Sequence, residues 1–267
     1  MSNYSAFKAL LLKIYKRSMK ELLKFYPIFW REMICWKKRF RKILAGNIVS
    51  PLLFLTTFGL GLGKNMSVSG TNYLDFVLPG IIALSSLSNS YNSIAADLNI
   101  RRTIFKTFDQ YVLAPIKISS VVLGEVLAGA LQGMTSCLIL LVLGLLFGAH
   151  INLTPVFFVV LIASCFTFAS LGVVAAMVAN SHGDMANFGT FFILPMTFLG
   201  GTFFSVDSMP LIVKVFIWML PLTPISYSLR SIALNREFSP FIIAVVFFWA
   251  AIMYLLAVSA AYKKSAD

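Results

Sequence analysis

From Ile118 to Gly148 the chain carries a single charged side chain, Glu125, and apolar runs of about 20 residues recur on either side of it. A run of that length can bury its backbone polar groups in hydrocarbon only as a helix. Bilayer β-strands would show segments of about 10 residues with alternating polarity, and these runs do not alternate. Charged residues make up 12% of the chain, against roughly a quarter in soluble domains. The sequence therefore predicts an all-α membrane protein.

The spans fall at about Ile43–Gly63, Leu74–Ala96, Ile118–Gly148, Pro155–Ala179, Phe188–Phe204 and Pro240–Tyr262. Between the fifth and sixth, residues 205–239 hold an apolar stretch too short to cross, bracketed by Pro210, Pro221 and Pro224. A re-entrant outer helical hairpin is expected there. Six spans put both ends on one side. Eighteen of the 22 basic residues then share that side, leaving Lys64, Lys214, Arg230 and Arg236 opposite. By the positive-inside rule both termini are cytoplasmic.

The net charge of +12 is concentrated before the first span: residues 1–42 hold twelve Lys and Arg. A cluster in that position suits anionic lipid, and nucleic acid is not an expected partner. Two amphipathic helices are expected, over 4–26 and, after Pro27, along Phe29, Met33, Trp36, Phe40 and Ile43. They suit the membrane interface, with packing on protein as the alternative. No early apolar segment suggests a cleavable signal. The division is an interface region over 1–42, a membrane domain over 43–262 and a short tail over 263–267.

Residues 97–117 form the one sizeable charged insert between spans. Ile104, Phe105, Phe108, Tyr111 and Val112 share one helical face, and Arg102, Lys106 and Asp109 another. Pro115 ends the helix by pushing Ala114 into extended geometry. A helix lying on the membrane and a helix docking a partner share this pattern. In the second span, Ser85, Ser86, Ser88, Asn89, Tyr91 and Asn92 are costly facing lipid, so a substrate path or protein contact is expected. Glu125 is either part of that path or paired with Lys117 or an arginine of the insert.

Catalytic patterns are absent. Gly59 to Asn65 comes closest to a phosphate loop, but Phe58 stands where its first glycine belongs and Asn65 where Ser or Thr does. His150 and His182 fall on opposite sides of the membrane and cannot share a metal. Residues 180–187 read as a short polar turn. Cys35, Cys137 and Cys165 lack zinc spacing and read as small buried hydrophobes.

The string Tyr111-Val112-Leu113-Ala114-Pro115, then Val122-Leu123-Gly124-Glu125, resembles the permease subunits of type-2 ABC exporters, whose insert ends in an "LLATP"-like motif. Further matches are Phe76-Val77-Leu78-Pro79-Gly80, Leu199-Gly200-Gly201-Thr202-Phe203-Phe204-Ser205, and Leu220-Pro221-Leu222-Thr223-Pro224 with Arg230. The likeness covers about residues 40–262 and is nearest the nodulation-factor, polysaccharide and drug export branch. It implies six helices with outer re-entrant helices and two paired permeases, a homodimer in the simplest case. Two cytoplasmic ATPase subunits would bind the ATP and magnesium, leaving this chain with no cofactor and no catalytic role.

By the same resemblance, 97–117 is the coupling helix. Arg101, Arg102, Lys106 and Asp109 would offer charge to the ATPase, and Phe105, Phe108 and Tyr111 an apolar anchor. The exported substrate would be amphipathic: a lipid-linked glycan, a lipo-oligosaccharide or a hydrophobic drug. A proton-coupled carrier or a membrane-embedded lipid transferase are the alternatives. The first needs intramembrane ionisable pairs, and the second a His/Asp/Glu cluster that the sequence does not assemble.

Overall fold

The structure is a computed structural model that describes residues 23–54, 56–57, 67–68, 71–202, 210–236 and 240–266. Most of the helix expected over 4–26, the Gly59–Asn65 string and the end of the fifth span lie outside the described residues. After a 3-10 turn at Leu23–Phe25, helix α1 runs over Tyr26–Phe54. Pro27 sits in its first turn, where no backbone N–H is required. The expected interface helix and the start of the first span are therefore one continuous rod, without a break at residue 42.

A small antiparallel hairpin follows, β1 at Ser67–Val68 on β2 at Thr71–Asn72. It is the one departure from helix among the described elements. The remaining helices are α2 (Tyr73–Asn92), α3 (Ala95–Thr103), α4 (Thr107–Leu113), α5 (Ile118–Leu146) and α6 (Pro155–Val178). Then come α7 (His182–Phe188), a π-helical segment at Gly189–Ile193 and α8 (Leu194–Leu199). Helices α9 (Leu211–Trp218), α10 (Leu222–Ala233) and α11 (Pro240–Ala266) complete the chain.

Three of these helices, α5, α6 and α11, are long and apolar enough to cross a membrane, or up to four crossings if the bent pair α9–α10 counts as one. At 1.5 Å per residue, the 29 residues of α5 reach about 44 Å, well past a hydrocarbon core of about 30 Å. Its apolar run stays unbroken, so its ends extend into the interfaces or the helix tilts. Helix α6 is the hub, with α2, α5, α10 and α11 packed around it. Phe157, Leu161, Phe168 and Met177 are buried along its length.

Residues 180–187 depart from the expected turn. Ser181 caps α7: its hydroxyl accepts from the Asp184 N–H at 3.1 Å, and Asp184 accepts from the Ser181 N–H at 3.1 Å. This reciprocal box starts a helix where the polar composition suggested a loop.

Small residues set how closely α2 approaches its neighbours. A side chain at Gly133 of α5 would collide with Ser90, and one at Gly172 of α6 would meet the Tyr91 carbonyl at 2.9 Å. Close approach of this kind replaces the missing hydrophobic drive between helices in lipid. Gly133→Ala is expected to separate α2 from α5 and destabilise the chain by about 1–3 kcal/mol, with partial recovery on adding Ser90→Gly. Unfolding in mixed micelles measures both, and an unshifted Gly133→Ala midpoint would contradict the close packing.

At the far end from the insert, three distant strings meet. Arg230 of α10 donates to the carbonyls of Phe76 (3.0 Å), Gly201 (3.0 Å) and Thr202 (2.8 Å), with its guanidinium 4.0 Å above the Phe76 ring. Helices α9 and α10 meet at 88°, and the Thr223 hydroxyl donates across the bend to the Ile217 carbonyl at 2.7 Å. Asp75 accepts from the His150 N–H at 2.7 Å, tying the start of α2 to the loop after α5.

Candidate functional site

The insert is two short helices joined by a sharp break. Lys106 adopts a left-handed backbone (φ 50°) between α3 and α4, an uncommon conformation for a residue with a Cβ. The Thr107 hydroxyl spans the break, donating to the Arg101 carbonyl at 3.1 Å. Ala114 is extended (φ −77°, ψ 151°), as expected of a residue before proline, and α4 stops there.

Helix α3 is fastened to the end of α6. The Asn99 amide donates to the carbonyls of Ala176 (3.3 Å) and Ala179 (2.8 Å), and Arg102 donates to Ala179 as well. Carbonyls at a helix end lack intrahelical partners, so these donors act as a cap in trans. Burial lowers the Arg102 guanidinium from its ordinary value.

The other side of α3 enters an ion cluster. Arg101 holds Glu125 of α5 with both terminal nitrogens, Nη1 to Oε1 at 2.9 Å and Nη2 to Oε2 at 3.0 Å. Its Nη1 also donates to Glu32 of α1 at 3.0 Å, and its Nε faces Asp97 at 2.9 Å. Arg31 of α1 bonds its neighbour Glu32, reaches Glu125 at 3.2 Å and donates to the Tyr111 hydroxyl of α4. Four elements thus meet in one network. Burial, ahead of the neighbouring Glu125 carboxylate, pushes Glu32 up to about 8, with Arg31 pulling the other way. Burial also pushes the Tyr111 hydroxyl up to about 12.

The expected coupling residues therefore divide. Phe105 is 66% exposed, and Ile104 and Lys106 beside it are exposed too. Phe108 is 3% exposed and belongs to the chain's own core, its ring edge-on to Tyr111. The apolar face drawn from periodicity is split by the break at Lys106, so Phe108 and Tyr111 turn inward while Phe105 turns outward. Arg101 and Arg102 both bond within the chain, Arg101 in the ion cluster and Arg102 on the Ala179 carbonyl. Asp109 lies within α4, and its side chain is outside the described residues. Arg31 and Glu32 were missed in the sequence, although Glu32 stands out as one of only two acidic residues among the first 42.

Of the two surroundings expected for the polar residues of the second span, a path or a protein contact, several meet protein within this copy. Ser85, Ser86, Asn89 and Tyr91 are buried inside the protomer. Asn89 donates to the Ser85 hydroxyl at 2.8 Å and Ser86 to the Ala83 carbonyl at 2.7 Å, so both are satisfied along α2 itself. Of the six, Ser88 is half-buried and Asn92 exposed. Glu125 is 2% exposed and fully engaged by arginine, which was the alternative to a place in the path.

Asn92 instead lines a groove of about 630 Å³ between α1 and the α2–α3 junction, with Gln132 of α5 at its back. Along α1 the wall runs from Glu32 through Trp36 and Arg39 to Gly46, and across from it stand Asp97 and Arg101.

A family described as ABC-2 type transporter matches residues 24–236. Nodulation protein J of Rhizobium leguminosarum bv. trifolii is 28% identical over 217 residues, covering 80% of this chain and 82% of that protein. Nodulation protein J of Azorhizobium caulinodans is 29% identical over 181 residues, 65% of this chain and 69% of that protein. The inner membrane transport permease YadH of Escherichia coli K12 is 25% identical over 184 residues, covering 66% of this chain and 72% of that protein.

Proposed function

Because the chain belongs to the ABC-2 type transporter family, we propose that it is the membrane-spanning permease of an ATP-driven exporter, with the insert as its coupling element. The observation that carries this reading is the two-sided insert. Its inner side is fastened to α1, α5 and α6, while Ile104, Phe105 and Lys106 project outward at its sharpest bend. A push on that knuckle reaches three helices at once through the ion cluster and the Asn99 and Arg102 contacts.

ATP is handled by two separate cytoplasmic ATPase subunits, which also bind magnesium, and two copies of this permease pair around the path. The chain crosses the bacterial inner membrane six times, with both termini cytoplasmic. Beyond the apolar helices, the further crossings are α1, α2 and the α7–α8 rod, and α9–α10 is the re-entrant outer hairpin. The substrate is amphipathic, of the lipid-linked glycan, lipo-oligosaccharide or hydrophobic drug kind, a class suggested by the similarity to the nodulation proteins. A proton-coupled carrier is less well supported, since Glu125 is clamped by Arg101 and Arg31.

An exposed aromatic at an interface centre is the kind of residue whose loss weakens binding most. Phe105→Asp is therefore expected to lower substrate-dependent ATP hydrolysis by the reconstituted complex about tenfold or more, with size-exclusion behaviour unchanged. Undiminished coupling in this variant would sink the role given to the insert.

A further inference from the structure

The groove beside the ion cluster holds charges of both signs that its own ion pairs do not fully use. Arg31 and Arg101 are taken up by Glu32 and Glu125. Two charges remain turned toward the groove. Arg39 makes no ion pair among the described residues, and the Asp97 carboxylate is half-exposed with one oxygen on the Arg101 Nε. One free cation and one partly free anion thus share a cavity walled by Trp36.

The groove also has a direction. From Glu32 to Gly46 it follows α1 for about 21 Å. Glu32, Asp97 and Arg101 lie at the insert end, Arg39 stands about midway along this stretch of α1, and Gly46 marks the other end. At Gly46 an added Cβ would meet nothing within 4 Å among the described residues, so the far end is open on that side. A polar head at one end and room for a chain at the other describe an amphiphile.

We infer that this groove binds a phospholipid whose headgroup carries both a phosphate and a primary ammonium. The phosphate would pair with Arg39, since guanidinium forks match phosphate oxygens. The ammonium would donate to the outward Asp97 oxygen and sit against the Trp36 ring. A purely anionic head would satisfy Arg39 and be repelled by Asp97. A quaternary ammonium would reach the ring but has no N–H for the carboxylate. The acyl chain would lie past Asn92 toward Gly46. Such a lipid would rest against Arg101 and α1 together, and so against the joint that moves during coupling.

The inference uses the chain's place in a membrane, which the proposed export reading shares, but its test involves neither ATP nor transport. The full-length protein is placed in nanodiscs of equal parts phosphatidylethanolamine, phosphatidylglycerol and phosphatidylcholine, and retained lipid is read by native mass spectrometry. The ethanolamine lipid is expected to exceed each of the others about tenfold. Asp97→Asn should shift the preference toward phosphatidylglycerol, and Arg39→Gln should lower retention of all three. Gly46→Phe fills open space in a helix, so it should fold normally and lose the lipid. Equal retention of the three lipids, or full retention by Gly46→Phe, would overturn the site. Glycerophosphoethanolamine binding as tightly as the whole lipid would overturn the acyl-chain half of the assignment.

Discussion

Arg101→Leu is expected to destabilise the protein by about 3–5 kcal/mol, because it strands Glu125 inside the bundle. Glu125 is 2% exposed and receives two bonds from Arg101 in a forked geometry. With Arg101 gone, Arg31 remains its one cationic partner among the described residues, at 3.2 Å and already shared with Glu32. A buried carboxylate so exposed to desolvation must protonate or pull the helices apart. The double variant Arg101→Leu with Glu125→Leu removes both charges and fills similar volume. It is expected to regain most of the lost stability, since well-packed apolar pairs often match buried ion pairs. Unfolding in mixed detergent micelles measures both variants. If Arg101→Leu alone costs less than about 1 kcal/mol, the cluster behaves as a solvated surface pair and does not join the helices.

The second large effect lies at the opposite end. Arg230→Ala is expected to cost about 3 kcal/mol or more, because three buried carbonyls lose their donor together. Those carbonyls belong to Phe76, Gly201 and Thr202, so the loss unties α10 from α2 and from the end of α8. Lysine offers a single ammonium in place of a fork, so Arg230→Lys should recover part of the loss. Gly80→Ala provides an independent route to the same joint: its Cβ would meet the Thr202 carbonyl oxygen at 2.5 Å and Arg230 Nη2 at 2.8 Å. Thermal unfolding should rank Arg230→Ala lowest, with Gly80→Ala and Arg230→Lys between it and the parent. An Arg230→Ala protein that melts with the parent would mean the carbonyls find water instead.

Much of the architecture was legible because apolar length is a direct physical demand. Helices α5, α6 and α11 begin at the residues that open the corresponding apolar runs, and α4 ends where Pro115 requires. Three of the strings that suggested the family proved to be one object in space, since Arg230 bonds the carbonyls of the other two. Direction was not legible. Periodicity gives a face but not what the face meets, so Phe105 and Phe108 looked alike until the break at Lys106 separated them. The serines of α2 suited a path and a protein contact equally, because a hydroxyl facing a helix neighbour and one facing water have the same composition. The glycines at 133 and 172 were the available signal: small residues on two helices predict close packing between them. The cap on α7 was also written in the sequence, as Ser181 with Asp184 three residues on.

In the proposed six-crossing arrangement, helix α2 reaches the insertion machinery before the helices that cover it have been made. Its seryl stripe is buried against α5 and α6, and α6 ends at Val178, more than 80 residues beyond Asn92. At about 5–20 residues per second, the ribosome needs roughly 4–17 seconds to supply that partner. Throughout that interval the least apolar half of the helix faces lipid or the machinery itself, with only the bonds of Ser86 and Asn89 to their own helix to ease it. In that arrangement the order of synthesis makes the membrane entry of α2 dependent on later sequence, and a truncation before α6 should leave α2 poorly inserted even though every residue of α2 is present.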